Sequence, residues 1–600
     1  MSYRKASRFS LFLVALLSLG LLLAACGDNN QTSPAQNSNL GYNSALAANF
    51  PGTTSLFVSL NTDQNSAQSL SAKKMIDYIS AIPEIQDSLK SLNLASSTTT
   101  GQIDFEKDVR PWLGNEAAIG VTDMQKLGKL VGSLGSMTGK SSSSPTPTPN
   151  MAMASFDIPL MVAVQVKDKA KADVFVNKLL GSALGGNTSG LNIKPTIETY
   201  KDYTIYNLNL FVLQLSVAVG NDKLFLTLGS TAAKNAIDQT AGTSLSANAQ
   251  YKAVAAKLPT TNLGFMYTDA ASASSAMSAI PNMSQSTTSM NKDYLKGMGM
   301  AFSAADEGLK VDVYEAYDES KLTPEIKASL SKPAVSGKIL EALPEKTFFF
   351  ANGQDGKSAY DQLNSMLSQM PSDQTKQITD ALTKFETNSG LSIQKDIAPL
   401  FAGEFAVFAV PSTTDQKVGV GFLTAVTDKA SAQASLDKLA AALEKSPDAT
   451  VKFDQKTFGG VTYKSGVMTP KDTTKNNGKS TTLEMGVAGN YVFISTASDQ
   501  TEATITSATG GTNFSKGASY AEFTKVKASV PDSNKGYFFV DAQQAFAVAA
   551  SMPSSPDNAK NQQQLTAISG KLTDLKSVVG GSKSGTTESN STIYIHFPVK

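Results

Sequence analysis

Two pairs of carboxylates have the residue types and spacing of general acid–base chemistry: Asp108 with Glu116, and Asp396 with Glu404. The separation is the same in both, each aspartate follows a lysine (Lys107 or Lys395), and each interval contains a proline, Pro111 or Pro399. Two carboxyl groups held close together can divide acid and base roles between them. The prolines and glycines in the intervals leave that distance open. A carboxylate-dependent hydrolase therefore stands beside a structural reading in which the aspartate ends one element and the glutamate opens a strand. His596 is the only histidine. Strand alternation puts it on the face opposite Ile595 and Phe597, and a metal there would need carboxylates from elsewhere, so it reads as a strand histidine with a satisfied hydrogen bond. There is no Gly-x-Ser-x-Gly elbow, His-Glu-x-x-His pair or Walker loop, and the sequence predicts no catalytic residue, cofactor or metal site.

The only cysteine, Cys26, has chemistry of another kind. It closes Leu23-Ala24-Ala25-Cys26 after a basic start (Arg4, Lys5, Arg8) and an apolar run from Phe9 to Leu23, the arrangement of an export signal that ends at a lipidated cysteine. Residues 1–25 are expected to be the signal, with lipid attached at Cys26. An uncleaved membrane anchor is the alternative, since the run is near the lower length for spanning a bilayer. Two or three acyl chains hold a protein stably where a single chain does not, at about 0.8 kcal/mol per buried methylene. Residues 26–48 follow as a polar flexible tether. Both alternatives place the body on the extracytoplasmic face of the cell membrane.

The balance of charge removes a further class. Of the 52 basic residues, three (Arg4, Lys5, Arg8) precede Cys26; the remaining 49 against 51 acidic residues give a formal charge of −2. Such a chain has no field to steer polyanions, and beyond the signal Arg110 is its only arginine, so nucleic acid is not an expected partner. With no disulfide available, stability has to come from buried apolar area.

The elements that would position these residues occur twice. Val166, Asp168, Lys169, Ala170 and Ala172 recur at one offset as Val426, Asp428, Lys429, Ala430 and Ala432. Both segments read as strand, aspartate N-cap and helix, and one buried stripe continues through Val176, Leu179 and Leu180, matched by Leu436, Leu439 and Ala440. Pro259, Gly264, Phe265-Met266-Tyr267, Asp269 and Ala270 likewise match Pro531, Gly536, Tyr537-Phe538-Phe539, Asp541 and Ala542. Hairpins are predicted at Leu215–Val219 with Lys223–Leu228, and at Leu483–Val487 with Tyr491–Ser495. Helical stretches are predicted near Ala72–Leu92 and Ser358–Phe385. The expected fold is α+β: two homologous tandem units, 49–330 (with a low-complexity loop at 137–152) and 339–600, each mostly antiparallel sheet with packed helices.

With these segments in view, Leu23–Cys26, the DFEKDVRPWLGNEAA and VKDKAKA segments and their second copies resemble the bacterial lipoprotein family of the domain of unknown function 3352. The resemblance implies a secreted or membrane-tethered protein and carries no activity. One departure is Trp112, whose counterpart is Leu400. The function expected is that of a non-catalytic envelope or interaction protein whose partner is another envelope protein or the cell wall. A carrier for an apolar ligand is the alternative, suggested by the aromatic strands Phe348–Phe350 and Tyr537–Phe539.

Overall fold

The computed structural model describes residues 44–80, 104–124, 160–185, 195–210, 213–229, 231–269, 294–305, 307–354, 403–414, 417–446, 449–471, 480–551 and 570–598, with isolated positions at 126 and between 383 and 400. Cys26, the signal, most of the tether, the loop at 137–152 and almost all of 358–385 lie outside them. The chain divides into two compact units, one ending at Leu322 and the other spanning Thr323–Pro598.

In the first unit the strands are β1 Leu56–Asn61, β2 Leu113–Val121, β3 Leu160–Val166, β4 Thr196–Tyr200, β5 Tyr203–Leu210, β6 Leu213–Val219, β7 Lys223–Leu228, β8 Gly264–Asp269, β9 Leu295–Ala305 and β10 Gly308–Tyr317. Its helices are α1 Ala67–Ser80, α2 Lys169–Gly185, α3 Ala232–Asp238 and α4 Ala249–Ala255. The strands pair antiparallel in the order β4-β5-β6-β7-β3-β2-β1-β8-β9-β10.

The second unit contains β11 Phe349–Gly353, β12 Phe405–Pro411, β13 Val418–Ala425, β14 Ala449–Thr450, β15 Phe453–Phe458, β16 Val461–Pro470, β17 Thr481–Ala488, β18 Tyr491–Ser495, β19 Tyr537–Asp541, β20 Ser577–Ser584 and β21 Glu588–His596. Its helices are α5 Pro324–Leu330, α6 Lys429–Glu444, α7 Ser498–Ala508, α8 Ala518–Lys527 and α9 Ala542–Ser551. The sheet order is β15-β16-β17-β18-β13-β12-β11-β19-β20-β21, again antiparallel, with the short β14 also on β16. Strand for strand, this is the order of the first unit. The predicted mixture of helix with antiparallel sheet is the fold observed.

Alternation along the strands gives each sheet two apolar faces. One holds an aromatic core: Phe50, Phe57, Tyr251, Phe265 and Tyr267 in the first unit, and Phe350, Phe514, Phe523, Tyr537 and Phe539 in the second. Edge-to-face contacts such as Phe50–Phe57 and Phe350–Phe523 order these rings. The other face is covered at one end by α2 or α6. The stripe read from sequence is the buried one, Ala172, Val176 and Leu180 in α2 and Ala432, Leu436 and Ala440 in α6. Trp112 and Leu400 sit at equivalent places beneath these helices, each 4% exposed. The N-caps are formed as expected: Asp168 accepts from Lys171 N at 3.1 Å and Asp428 from Ser431 N at 3.0 Å.

Three features differ from the sequence reading. Residues 44–48, assigned there to the tether, are built into the first unit: Leu46–Asn49 forms a 3₁₀ turn with Leu46 and Ala47 buried. Averaging composition over the polar stretch before it hid the apolar Leu46 and Ala47. Helix α5, assigned to the end of the first unit, is tied to the second, where Asn534 Nδ2 donates to Leu330 O at 3.2 Å and to Lys332 O at 2.9 Å. The outermost strands β4 and β15 carry polar residues on exposed positions, such as Asp454, Gln455 and Lys456, and so lack an apolar period.

Candidate functional site

The repeated carboxylates hold different partners. Asp108 lies in a helical turn, Phe105–Val109, where its Oδ2 accepts from Asp104 N at 2.7 Å and from Lys178 Nζ of α2 at 2.5 Å. The Lys178 hydrogen bond, then the Asp104 amide, hold its carboxyl below the ordinary aspartate range. Asp396 repeats the arrangement with Ser392 N at 2.9 Å and Lys438 Nζ of α6 at 2.8 Å. Both aspartates therefore pin the turn before a central strand to the helix over the sheet.

The glutamates bind elsewhere. Glu116, 3% exposed in β2, accepts from the Ser44 hydroxyl, from Ala45 N at 3.1 Å and from Leu46 N at 3.3 Å. It thereby caps the 3₁₀ turn that leads into the unit. Burial pushes its carboxyl up to about 7, against the opposing pull of Ser44 and the two amides. Glu404 makes the matching cap in the second unit, accepting from Ser336 Oγ at 2.6 Å and Gly337 N at 3.1 Å ahead of the 3₁₀ turn Lys338–Ala342. Each aspartate thus ties a turn to a helix while its glutamate caps a 3₁₀ turn, so all four carboxylates clamp local structure. Sequence reading missed Lys178, Lys438, Ser44 and Ser336. The lysines could have been found, since they keep the offset that relates α2 to α6.

His596 is 3% exposed at the end of β21. Its Nδ1 lies 2.6 Å from Glu522 Oε1, its Nε2 is 3.3 Å from Lys525 Nζ, and both partners are on α8. Ser577 is directly opposite His596 on β20 and donates to the same Glu522 oxygen at 2.5 Å. Because that oxygen accepts, the imidazole hydrogen sits on Nδ1 and Nε2 accepts from the lysine. A serine nucleophile would need its hydroxyl at Nε2. Here the hydroxyl turns to the carboxylate, and the cluster binds α8 to the β20–β21 hairpin. The expectation of a strand histidine with a satisfied hydrogen bond describes it. At the matching register of the first unit stand Gly297 and Ala316, with Gln250 on α4 in the place of Glu522. A Cβ at Gly297 would come within 2.6 Å of Gln250 Nε2. The ionisable cluster is thus confined to the second unit.

A further acid in that unit escaped sequence reading. Glu484, fully buried in β17, accepts at Oε1 from Ser465 Oγ at 2.6 Å, Ser498 Oγ at 3.0 Å and Lys456 Nζ at 3.2 Å. Burial alone would raise its carboxyl, but the hydroxyls of Ser465, Thr501 and Ser498 with the Lys456 ammonium hold it below the usual range. In the first unit the equivalent position is Ser216, bonded to Asn207 at 2.6 Å. Only cross-strand register brings Glu484 and Ser465 together, and a strand read alone does not show register.

Among the described residues no group of three or more His, Cys, Asp or Glu side chains could hold a metal ion, and no helix is long and apolar enough to cross a membrane. A family model described as a protein of unknown function, DUF3352, matches residues 11–592. The chain belongs to the DUF3352 family. No curated protein and no solved structure matches it. For this DUF3352 chain, the clamps repeated in both units and the clusters peculiar to the second are the available guide to function.

Proposed function

We propose that this DUF3352 chain is a bacterial lipoprotein, tethered by lipid on Cys26 to the extracytoplasmic face of the membrane, and that its two homologous units form a non-catalytic module for binding an envelope protein or the cell wall. The observation that carries the proposal is the agreement of the units in strand order and in clamping chemistry: Asp108–Lys178 with Asp396–Lys438, and Glu116–Ser44 with Glu404–Ser336. Carboxylates committed to such contacts serve as scaffold. The test is gentle detergent extraction of the protein from its native membranes after crosslinking, with a Cys26→Ser chain as the released control. The proposal expects a defined envelope component to be recovered with the wild type and the control chain to leave the membrane fraction. Recovery of Cys26→Ser chains in membranes at the wild-type level would contradict the tether.

A carrier for an apolar ligand is a second reading, favoured by the second face of the second sheet. Register aligns Phe422, Val407, Ala351, Phe538, Gly580 and Ile593 in one apolar row across six strands. Val407 is 36% and Ile593 40% exposed. A stoichiometric lipid in the extracted protein would favour this reading over the first.

A further inference from the structure

The second face of the first sheet carries methionines where the second unit carries none. Met266 on β8 stands directly opposite Met300 on β9, and Met298 lies two residues along β9 on the same face, opposite Thr268. The intervening Gly297 and Gly299 point the other way, since a Cβ on either would run into Gln250, or into Val254 and Leu258, on or just after α4. All three methionines are half-buried, neither sealed in the core nor fully in water. Above this face lies α1, whose Ala72 is clustered with Ala304 of β9. Met75, 2% exposed, is one turn further along α1 on that same inward side. The positions in the second sheet that match Met266, Met298 and Met300 hold Phe538, Val578 and Gly580. The fold therefore does not itself require thioethers there.

We infer that Met266, Met298 and Met300 form a thioether site for a soft monovalent cation, Cu(I) or Ag(I), with Met75 above it as a fourth donor. Directly opposed residues have Cβ atoms roughly 5 Å apart and diagonal neighbours roughly 7–8 Å apart. Each sulfur is two bonds beyond its Cβ on an unbranched side chain, so the three can converge on one ion without moving the backbone. Thioethers are neutral, polarisable donors that select Cu(I) over hard divalent ions. A site made only of methionine also needs no deprotonation, so its affinity is independent of pH across the neutral range, unlike a histidine or thiolate site.

The test is Ag(I) titration of the full chain with methyl-¹³C-methionine, each signal being assigned from a Met→Leu chain. Leucine conserves volume, so the assignment chains keep the sheet packed. The first equivalent bound by methionine is expected to shift the Met266, Met298 and Met300 methyl signals together. Met266→Leu/Met300→Leu is expected to weaken that binding by at least about tenfold with an unchanged circular dichroism spectrum. Silver taken up by Cys26 leaves every methionine methyl signal in place and is read separately. Three signals that stay still while other methionines respond, or undiminished binding in the double variant, would overturn the site.

Discussion

Glu116 and Glu404 cap equivalent turns at different depths, and the difference has a measurable consequence for stability. Burial lets folded Glu116 keep its proton up to about pH 7, whereas the unfolded carboxyl loses it near its ordinary value of 4.5. Between those values the folded state binds more protons, so the stability contributed by this residue falls as pH rises through the window and is level above it. The loss is on the order of 3 kcal/mol at about 1.4 kcal/mol per pH unit. Glu116→Gln, which keeps an acceptor for Ser44, should remove it. Trp112, the only tryptophan, is buried in the first unit, so its fluorescence during urea unfolding at pH 5 and 7.5 reports on that unit. An equal pH dependence in wild type and variant would contradict the assignment. In the second unit the only histidine is an equally selective probe. Nitrogen-15 spectra at neutral pH should show His596 with its hydrogen on Nδ1, and Glu522→Ala should shift the population towards Nε2–H. An Nε2–H tautomer in the wild type would be incompatible with the Glu522 bond.

At the scale of elements, legibility in the sequence followed periodicity. The hairpins β6–β7 and β17–β18, the aromatic strands β8 and β19, and the capped helices α2 and α6 all have an apolar period that survives in the structure. The outermost strands β4 and β15 were illegible because they are largely exposed and carry mostly polar residues, with no apolar period. The clamps were half legible. Spacing marked Asp108, Glu116, Asp396 and Glu404, but their partners lie on elements distant in sequence, and the Glu484 nest depends on strand register. Gly536 is a local rule that can be tested. Its φ is +112°, and a Cβ would stand 1.6 Å from Asn352 O, at the turn where Tyr537 N bonds to Asn352 Oδ1 at 2.9 Å. Gly536→Ala should cost about 3 kcal/mol or more. Denaturant unfolding followed by the His596 ring signal measures this in the second unit, and a change below about 0.5 kcal/mol would contradict the strained geometry.

For the whole molecule, two units share one strand order while their polar interiors differ. The second carries the Glu484 nest and the Glu522–His596–Lys525 cluster; the first carries methionines on its second face. Two units that keep the same clamps while the chemistry between them differs suit the proposed protein that presents surfaces at a fixed place. Under the proposed function that place is set by Cys26. The most direct measurement is mass spectrometry of the N-terminal peptide from protein isolated from its native membranes. The account predicts a chain that begins at Cys26 with a thioether-linked diacylglyceryl group, with or without a further acyl chain on its amine. An unmodified Cys26 still joined to Ala25 and the residues before it would contradict it.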